Sequence, residues 1–149
     1  MADELIAEQM RLAPLVVRED DEASGVESLC VGGLDVSFSK TDKTKGVAML
    51  VCLRWSEAGG METVHEDSTP VAADAAYTPG LLAQREVPAY RILVERAPAA
   101  VDYFIVDGNG ILHPRRCGSA SMLGVLTGRR TIGVAKSLLR IGQAGPEQL

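Results

Sequence analysis

The sequence predicts an α/β fold in which helices flank a mixed β-sheet. In the first half of the chain, three successive strand-like segments, the first alternating and the second more continuously apolar, are separated by short turns, which is typical of an antiparallel meander. In the second half, apolar strand patterns alternate with helical patterns, which indicates parallel strands joined by right-handed crossovers. The 149 residues, of which 46% are hydrophobic, suit one globular domain spanning 1–149.

The first half of the chain begins with apolar residues at helical spacing, followed by a polar connector and then by strand patterns. The predicted elements are a helix from Glu4 to about Val16, a connector over 18–28, and strands Val31–Phe38, Gly46–Trp55 and Met61–Ser68. The third strand alternates only weakly. A charged turn at 41–45 and a glycine turn at 58–60 separate the strands.

The second half contains longer apolar runs. The predicted elements are a helix Leu81–Ala97, a buried strand Val101–Val106, a short helix Cys117–Leu126 closed by Gly128, a buried strand Thr131–Ala135 and a polar, frayed tail over 141–149. Pro88 interrupts the first of these helices, so that the helix is either kinked there or begins close to Glu86.

Composition and charge exclude several classes of protein. No apolar run reaches the roughly 18 residues needed to span a bilayer, and the acidic N-terminus resembles no signal peptide. We therefore expect a protein without a membrane partner, located in the cytoplasm, or in the nucleus or nucleolus of a eukaryote. Cys30, Cys52 and Cys117 form no CxxC pair and are expected to be buried free thiols.

The net charge of −5 is unevenly distributed. Residues 108–149 carry six basic side chains and only one acidic residue, Glu147. A basic end on an acidic chain is expected of a phosphate-binding face, although a solvated surface explains the same charges.

Three acidic residues stand at positions that suit a metal site. Asp35 lies within a strand pattern, Asp107 follows an apolar strand, and Glu86 lies on or before a helix. Each has a simpler explanation: Asp35 faces water, Asp107 belongs to an Asp-Gly-Asn-Gly turn, and Glu86 stabilises a helix start. If the two strands are neighbours, however, the aspartates meet and Glu86 can approach them. Three hard oxygen ligands favour Mg²⁺ or Mn²⁺, which serve phosphodiester cleavage.

Two further residues are candidates for roles in catalysis. Lys136 ends the last strand and is either a phosphate-binding cation or a surface lysine. His113 follows the glycine turn and is either a proton shuttle or an ordinary loop histidine. The chain has no Walker loop and no GxGxxG motif.

Five segments resemble the endonuclease V family in order and spacing from about residue 30 to residue 139. They are VGGLDVSF at 31–38, YTPGLLAQREVP at 77–88, VDGNGILHPR at 106–115, LGVLTG at 123–128 and TIGVAK at 131–136. The DGNGxLHPR run is specific to that family. Departures from it are LLAQRE at 81–86 where members usually read FLAFRE, PRRCG at 114–118 where they read PRGFG, and Met122 where a histidine is common.

The resemblance implies a ribonuclease H-like fold and cleavage of the second phosphodiester bond 3′ to deoxyinosine in DNA or inosine in RNA, with Mg²⁺ or Mn²⁺. It assigns the metal to Asp35, Glu86 and Asp107, phosphate binding to Lys136, and a position near the active site to His113. It makes Tyr77 the wedge that replaces the extracted base. The residues that it places around the hypoxanthine pocket are Gly80, Leu82, Gly108 and Gly110.

The family continues beyond the lysine strand with further helices, whereas this chain stops at Leu149. We therefore expect a domain without the family's C-terminal helices and with apolar sheet surface exposed. The expected state is a monomer, or a dimer if that layer is missing. The alternatives to an active endonuclease are a remnant that binds inosine or forms dimers but cleaves weakly, and another ribonuclease H-like nuclease, which the DGNG and YTPG segments disfavour.

Overall fold

The computed structural model describes residues 2–19, 28–42, 44–72 and 82–136. Three α-helices and five strands lie in these ranges. The helices are α1 (Ala2–Leu12), α2 (Leu82–Arg96) and α3 (Ser119–Thr127), and the strands are β1 (Ser28–Phe38), β2 (Lys45–Ser56), β3 (Gly60–Ala72), β4 (Tyr103–Asp107) and β5 (Thr131–Val134). A short 3-10 turn, Ala13–Leu15, follows α1.

The strands form one sheet in the order β3-β2-β1-β4-β5. β1 and β2 pair antiparallel, as do β2 and β3, whereas β4 pairs parallel with both β1 and β5. The prediction of an antiparallel meander followed by parallel strands is therefore confirmed.

The helices cover one face of the sheet, because alternate strand residues and the apolar helix faces are buried together. Leu34 and Leu50 are cross-strand partners on this face and are almost fully buried. Gly32 leaves room there for Phe104, since a Cβ atom at Gly32 would lie 2.9 Å from the Phe104 ring. The helices contribute Leu12 from α1, Tyr90 and Leu93 from α2, and Leu123 from α3.

The opposite face is exposed within the part of the chain that the structure describes. The apolar side chains exposed on this face include Val47, Met49, Trp55, Met61, Ile105, Ile132 and Val134. The prediction that the strands ending at Asp107 and Lys136 are buried was therefore wrong in part. Their apolar patterns are continuous, but only alternate β4 residues contact the helices, and β5 lies at the sheet edge.

Several predicted boundaries also differ from those in the structure. β1 begins at Ser28, so the predicted connector ends earlier, and β3 extends to Ala72 because its pairing with β2 continues past the weakly alternating segment. α2 runs through Pro88 from Leu82, which excludes a helix start near Glu86. Pro88 is the seventh residue of α2, where it removes one intrahelical hydrogen bond, and the helix nevertheless continues to Arg96. No helix in the described ranges is long and apolar enough to cross a bilayer.

Candidate active site

Asp35 and Asp107 lie side by side toward the carboxyl ends of two parallel strands. The last register pair of β1 and β4 joins Leu34 to Val106, and each aspartate is the next residue on its strand. Both aspartates are exposed and alternate with more buried residues, so they project from the exposed face of the sheet. Because neighbouring strands run about 4.8 Å apart, the structure brings these two carboxylates into one small region.

Glu86 is the third carboxylate and is buried, with 6% of its surface exposed. Burial, followed by the negative charges of Asp107 and Asp35, raises the pKa of Glu86 to about 7. The Tyr90 hydroxyl, one helical turn further along α2, donates a hydrogen bond to the Glu86 carboxylate and opposes this rise in pKa. Burial and the same carboxylates raise the pKa of Tyr90, which keeps its hydroxyl protonated as a donor. Glu86 is therefore electrostatically coupled to both aspartates.

The three carboxylates suit a hard divalent cation in their chemistry. Carboxylate oxygens are the ligands that Mg²⁺ and Mn²⁺ prefer, and a cation would offset the repulsion that raises the pKa of Glu86. Among the described side chains, no three acidic, histidine or cysteine groups are close enough to hold one ion. Coordination by all three carboxylates therefore requires their side chains to reorient, and the exposed positions of Asp35 and Asp107 leave them room to do so.

The loop over 108–118 connects Asp107 to α3 and packs closely on β5. Gly108 has a φ of 154°, a conformation that glycine adopts readily, and its amide donates a hydrogen bond of 2.9 Å to the Val134 carbonyl. A Cβ atom at Gly133 would lie 2.5 Å from the Gly110 nitrogen and 2.7 Å from the Gly108 oxygen. Glycine at position 133 thus lets the loop backbone lie directly against the strand.

His113 lies in this loop and is 3% exposed. Its Nδ1 atom accepts a hydrogen bond of 3.1 Å from the Arg115 amide, and its Nε2 atom lies 3.5 Å from Gln9 Nε2. Since Nδ1 accepts a hydrogen bond, it carries no proton in this arrangement. The ring is held inside the protein, whereas the aspartates project from the exposed sheet face. These contacts favour a structural role for His113.

Lys136 is exposed and lies two residues beyond Val134, the register partner of Asp107. It therefore stands near the edge of the sheet at which the aspartates lie. Tyr77 and Gly80 fall outside the described residues, as does the side chain of Leu82, so the predictions made for them stay predictions.

Comparison with known proteins identifies the family. The sequence profile of Endonuclease V matches residues 10–148. The chain belongs to the Endonuclease V family. Its similarity to Endonuclease V of Homo sapiens is 44% identity over 90% of this chain and 50% of the human protein. For Endonuclease V of Mus musculus the identity is also 44%, over 90% of this chain and 42% of the mouse protein. The chain thus spans about half the length of the curated relatives it matches.

Solved structures of Endonuclease V share the fold. Ciona intestinalis Endonuclease V in complex with a 24mer DNA containing an inosine followed by a ribo-adenosine aligns with a TM-score of 0.81 and 37% identity, over 97% of this chain and 61% of that one. The catalytic domain of human Endonuclease V aligns with a TM-score of 0.79 and 41% identity, over 94% and 60% of the two chains. The ribonuclease H-like α/β fold implied by the family resemblance is therefore confirmed.

Three residues near the site were missed in the sequence, although each leaves a recognisable signal. Tyr90 stands four residues after Glu86, the spacing that places two side chains on one helix face. Gly133 interrupts a strand pattern, which often marks a close backbone approach. Gln9 is a polar residue in line with Leu5 and Leu12, on the apolar side of α1.

Proposed function

We propose that the chain is the core of a metal-dependent endonuclease that cleaves the second phosphodiester bond 3′ to deoxyinosine in DNA or inosine in RNA. The observation that carries the proposal is the level placement of Asp35 and Asp107 on adjacent parallel strands, with Glu86 electrostatically coupled to both. Membership of the Endonuclease V family supports the same chemistry.

In this proposal Asp35, Asp107 and Glu86 bind Mg²⁺, for which Mn²⁺ can substitute. The ion supplies Lewis-acid stabilisation of phosphate charge and an activated water. Glu86 must lose its proton before it can act as a ligand. Because its pKa is raised to about 7, binding of the cation would favour loss of this proton. The Tyr90 hydroxyl assists by donating a hydrogen bond to the ionised carboxylate.

The remaining residues bind and orient the substrate. Lys136 binds a phosphate near the aspartates as a point charge. The 108–118 loop has no side-chain bulk at Gly108 and Gly110, which suits close contact with a flat base. Tyr77, Gly80 and Leu82 complete the proposed site by family resemblance, with Tyr77 as the wedge. Extraction of a base costs a few kcal/mol and is easiest for a poorly paired base, which favours a lesion.

Inosine as the substrate base is supported by the relatives. The Ciona intestinalis protein was solved in complex with DNA that contains an inosine. This chain keeps the DGNG sequence of the family, which begins at Asp107.

A specific observation favours a second candidate function. The three described carboxylates do not lie close enough together to hold one ion. This geometry is also expected of a protein that recognises inosine but cleaves weakly.

The test is cleavage of an end-labelled oligonucleotide that contains one deoxyinosine. We expect a nick at the second bond 3′ to the inosine, present with Mg²⁺, lost with EDTA, and lost in Asp35→Asn and in Asp107→Asn. Asp3→Asn, an exposed change on α1, is the matched control and should cleave like the wild type. Inosine-selective binding without a nick would support the second function, and absence of both would contradict the proposal.

A further inference from the structure

Gln9 is a fully buried polar residue on α1, far in sequence from the candidate active site. Its side chain is 0% exposed, although glutamine is usually found at the surface. A buried amide is costly unless both its ends are hydrogen-bonded, so the partners of Gln9 show what holds it there.

Both ends of the Gln9 amide bind the loop that follows Asp107. The Oε1 atom accepts a hydrogen bond of 2.6 Å from Arg115 Nε. The Nε2 atom donates a hydrogen bond to the Cys117 carbonyl and lies 3.5 Å from His113 Nε2. One side chain of α1 therefore contacts three residues within the 113–117 segment.

The peptide unit between Cys117 and Gly118 transmits this contact to the loop. Its carbonyl accepts the hydrogen bond from Gln9, and its N–H donates a hydrogen bond of 2.9 Å to the Gly110 carbonyl. Because a peptide unit is planar, fixing the direction of its carbonyl also fixes the direction of its N–H. Gln9 thus sets the orientation of the group that holds Gly110.

Space around this peptide unit is tight. A Cβ atom at Gly118 would collide with the carbonyl group of Asn109, and one at Gly133 would lie 2.5 Å from the Gly110 nitrogen. The Asn109 carbonyl also accepts a hydrogen bond of 3.1 Å from the Ala120 amide at the start of α3. With these neighbours in contact, a rotation of the 117–118 peptide displaces the backbone of residues 109–110.

We propose that Gln9 is a positioning residue for substrate recognition, acting through the Cys117–Gly118 peptide on the backbone of the 108–118 loop. The inference rests on the proposed function, which gives this loop its role in holding the base. Gln9 then determines how strongly the site prefers inosine and leaves the metal-binding carboxylates unchanged.

The competing explanation is that Gln9 only anchors α1 to the protein. Leu12 separates the two explanations, because it is a buried residue of the same helix whose side chain makes no hydrogen bond. Leu12→Ala loosens the packing of α1 and keeps the Gln9 hydrogen bonds. Gln9→Leu and Gln9→Glu change those hydrogen bonds: leucine removes both, and glutamate keeps an acceptor for Arg115 but cannot donate to Cys117.

The first readout is amide hydrogen exchange, which requires no nucleic acid. Gln9→Leu and Gln9→Glu are expected to lower the protection of the Gly118 amide by about tenfold relative to other slowly exchanging amides, as the loss of a buried hydrogen bond would do. Leu12→Ala should lower all protection in parallel. Equal relative protection of Gly118 in the wild type and in both Gln9 variants would overturn the inference.

The second readout is the preference for inosine, which is a ratio of two dissociation constants. The constant for a single-stranded oligonucleotide with adenine is divided by the constant for the same oligonucleotide with one deoxyinosine. Both Gln9 variants should lose about tenfold of the wild-type preference, whereas Leu12→Ala keeps it in conditions where each variant is folded. An unchanged preference in the Gln9 variants, or an equal loss in Leu12→Ala, would overturn the inference alone. A wild-type protein with no preference for inosine would overturn the proposed function and, with it, the inference.

Discussion

Asp35 and Asp107 are each the first residue after the Leu34–Val106 register pair, so their carboxylates stand level on neighbouring parallel strands. This relationship depends on the parallel pairing of β1 with β4, which places the carboxyl ends of both strands at one edge of the sheet. Ligands of open α/β sheets commonly bind beyond that edge. The relationship connects the fold to the proposed metal site.

Glu86 gives the metal-free protein a pH-dependent stability. The folded pKa of about 7 lies above the ordinary value of 4.5, so the folded state holds this proton more tightly than the unfolded state. The free energy of unfolding should therefore fall as pH rises from about 4.5 to 7, by about 3 kcal/mol. Urea unfolding in EDTA across this range measures it.

The matched variant for this experiment is Glu86→Gln, which keeps the size of the side chain and cannot ionise. Its free energy of unfolding should lack this decline with pH. A decline of equal size in Glu86→Gln would show that another group is responsible.

The Tyr90 hydroxyl lowers the pKa of Glu86 through its hydrogen bond. Tyr90→Phe should therefore raise the pKa of Glu86 further and increase the Mg²⁺ concentration needed for half-maximal cleavage. A carboxyl-carbon NMR titration in EDTA reports the pKa directly. An unchanged or lower pKa in Tyr90→Phe would contradict the role assigned to this hydrogen bond.

Gly133→Ala should disturb the loop that follows Asp107. The new Cβ atom would lie 2.5 Å from the Gly110 nitrogen, so the backbone has to move, at a cost of about 1–3 kcal/mol in stability. We expect weaker binding of the deoxyinosine oligonucleotide and a lower urea midpoint. Gly33→Ala is the control in the same sheet, since the nearest atom there is 3.9 Å away. Equal effects of the two substitutions would exclude close packing as the cause.

Lys136→Ala should weaken the binding of all nucleic acids to a similar extent, because a lysine on phosphate carries no sequence information. The slope of log affinity against log salt should decrease in magnitude by about one. Arg54→Ala is the control. Arg54 pairs with Cys30 near the amino end of β1, whereas the aspartates lie toward the carboxyl ends of β1 and β4. Loss of inosine preference in Lys136→Ala without a change in salt slope would argue against phosphate binding.

The sequence predicted the mixed sheet, because period-2 patterns and strand–helix–strand order are local signals. It predicted that Asp35 and Asp107 meet only if their two strands are neighbours, because that pairing joins distant parts of the chain; the structure shows the pairing to be parallel. Burial of β4 and β5 was not predictable in the same way. From the sequence, an apolar residue such as Ile132 is predicted to be buried, but its exposure depends on which other elements cover the sheet.

The role of Gln9 was also beyond the sequence. Its spacing from Leu12 places it on the apolar side of α1, but its partner Cys117 lies 108 residues away. Contacts at such separations are set by the tertiary fold and leave no local pattern. The burial of His113 has the same origin, because the ring packs where α1 meets the loop after β4. The expected oligomeric state and cellular location stay predictions.

A titration of the protein with Mn²⁺, followed by electron paramagnetic resonance, tests whether Asp35 and Asp107 bind a metal ion. We expect the wild type to bind the ion. Asp35→Asn combined with Asp107→Asn should abolish this binding, while urea unfolding shows that the double variant is still folded. Asp3→Asn should bind Mn²⁺ like the wild type. Equal Mn²⁺ affinity in the wild type and in the double variant would contradict a metal centre at these two residues.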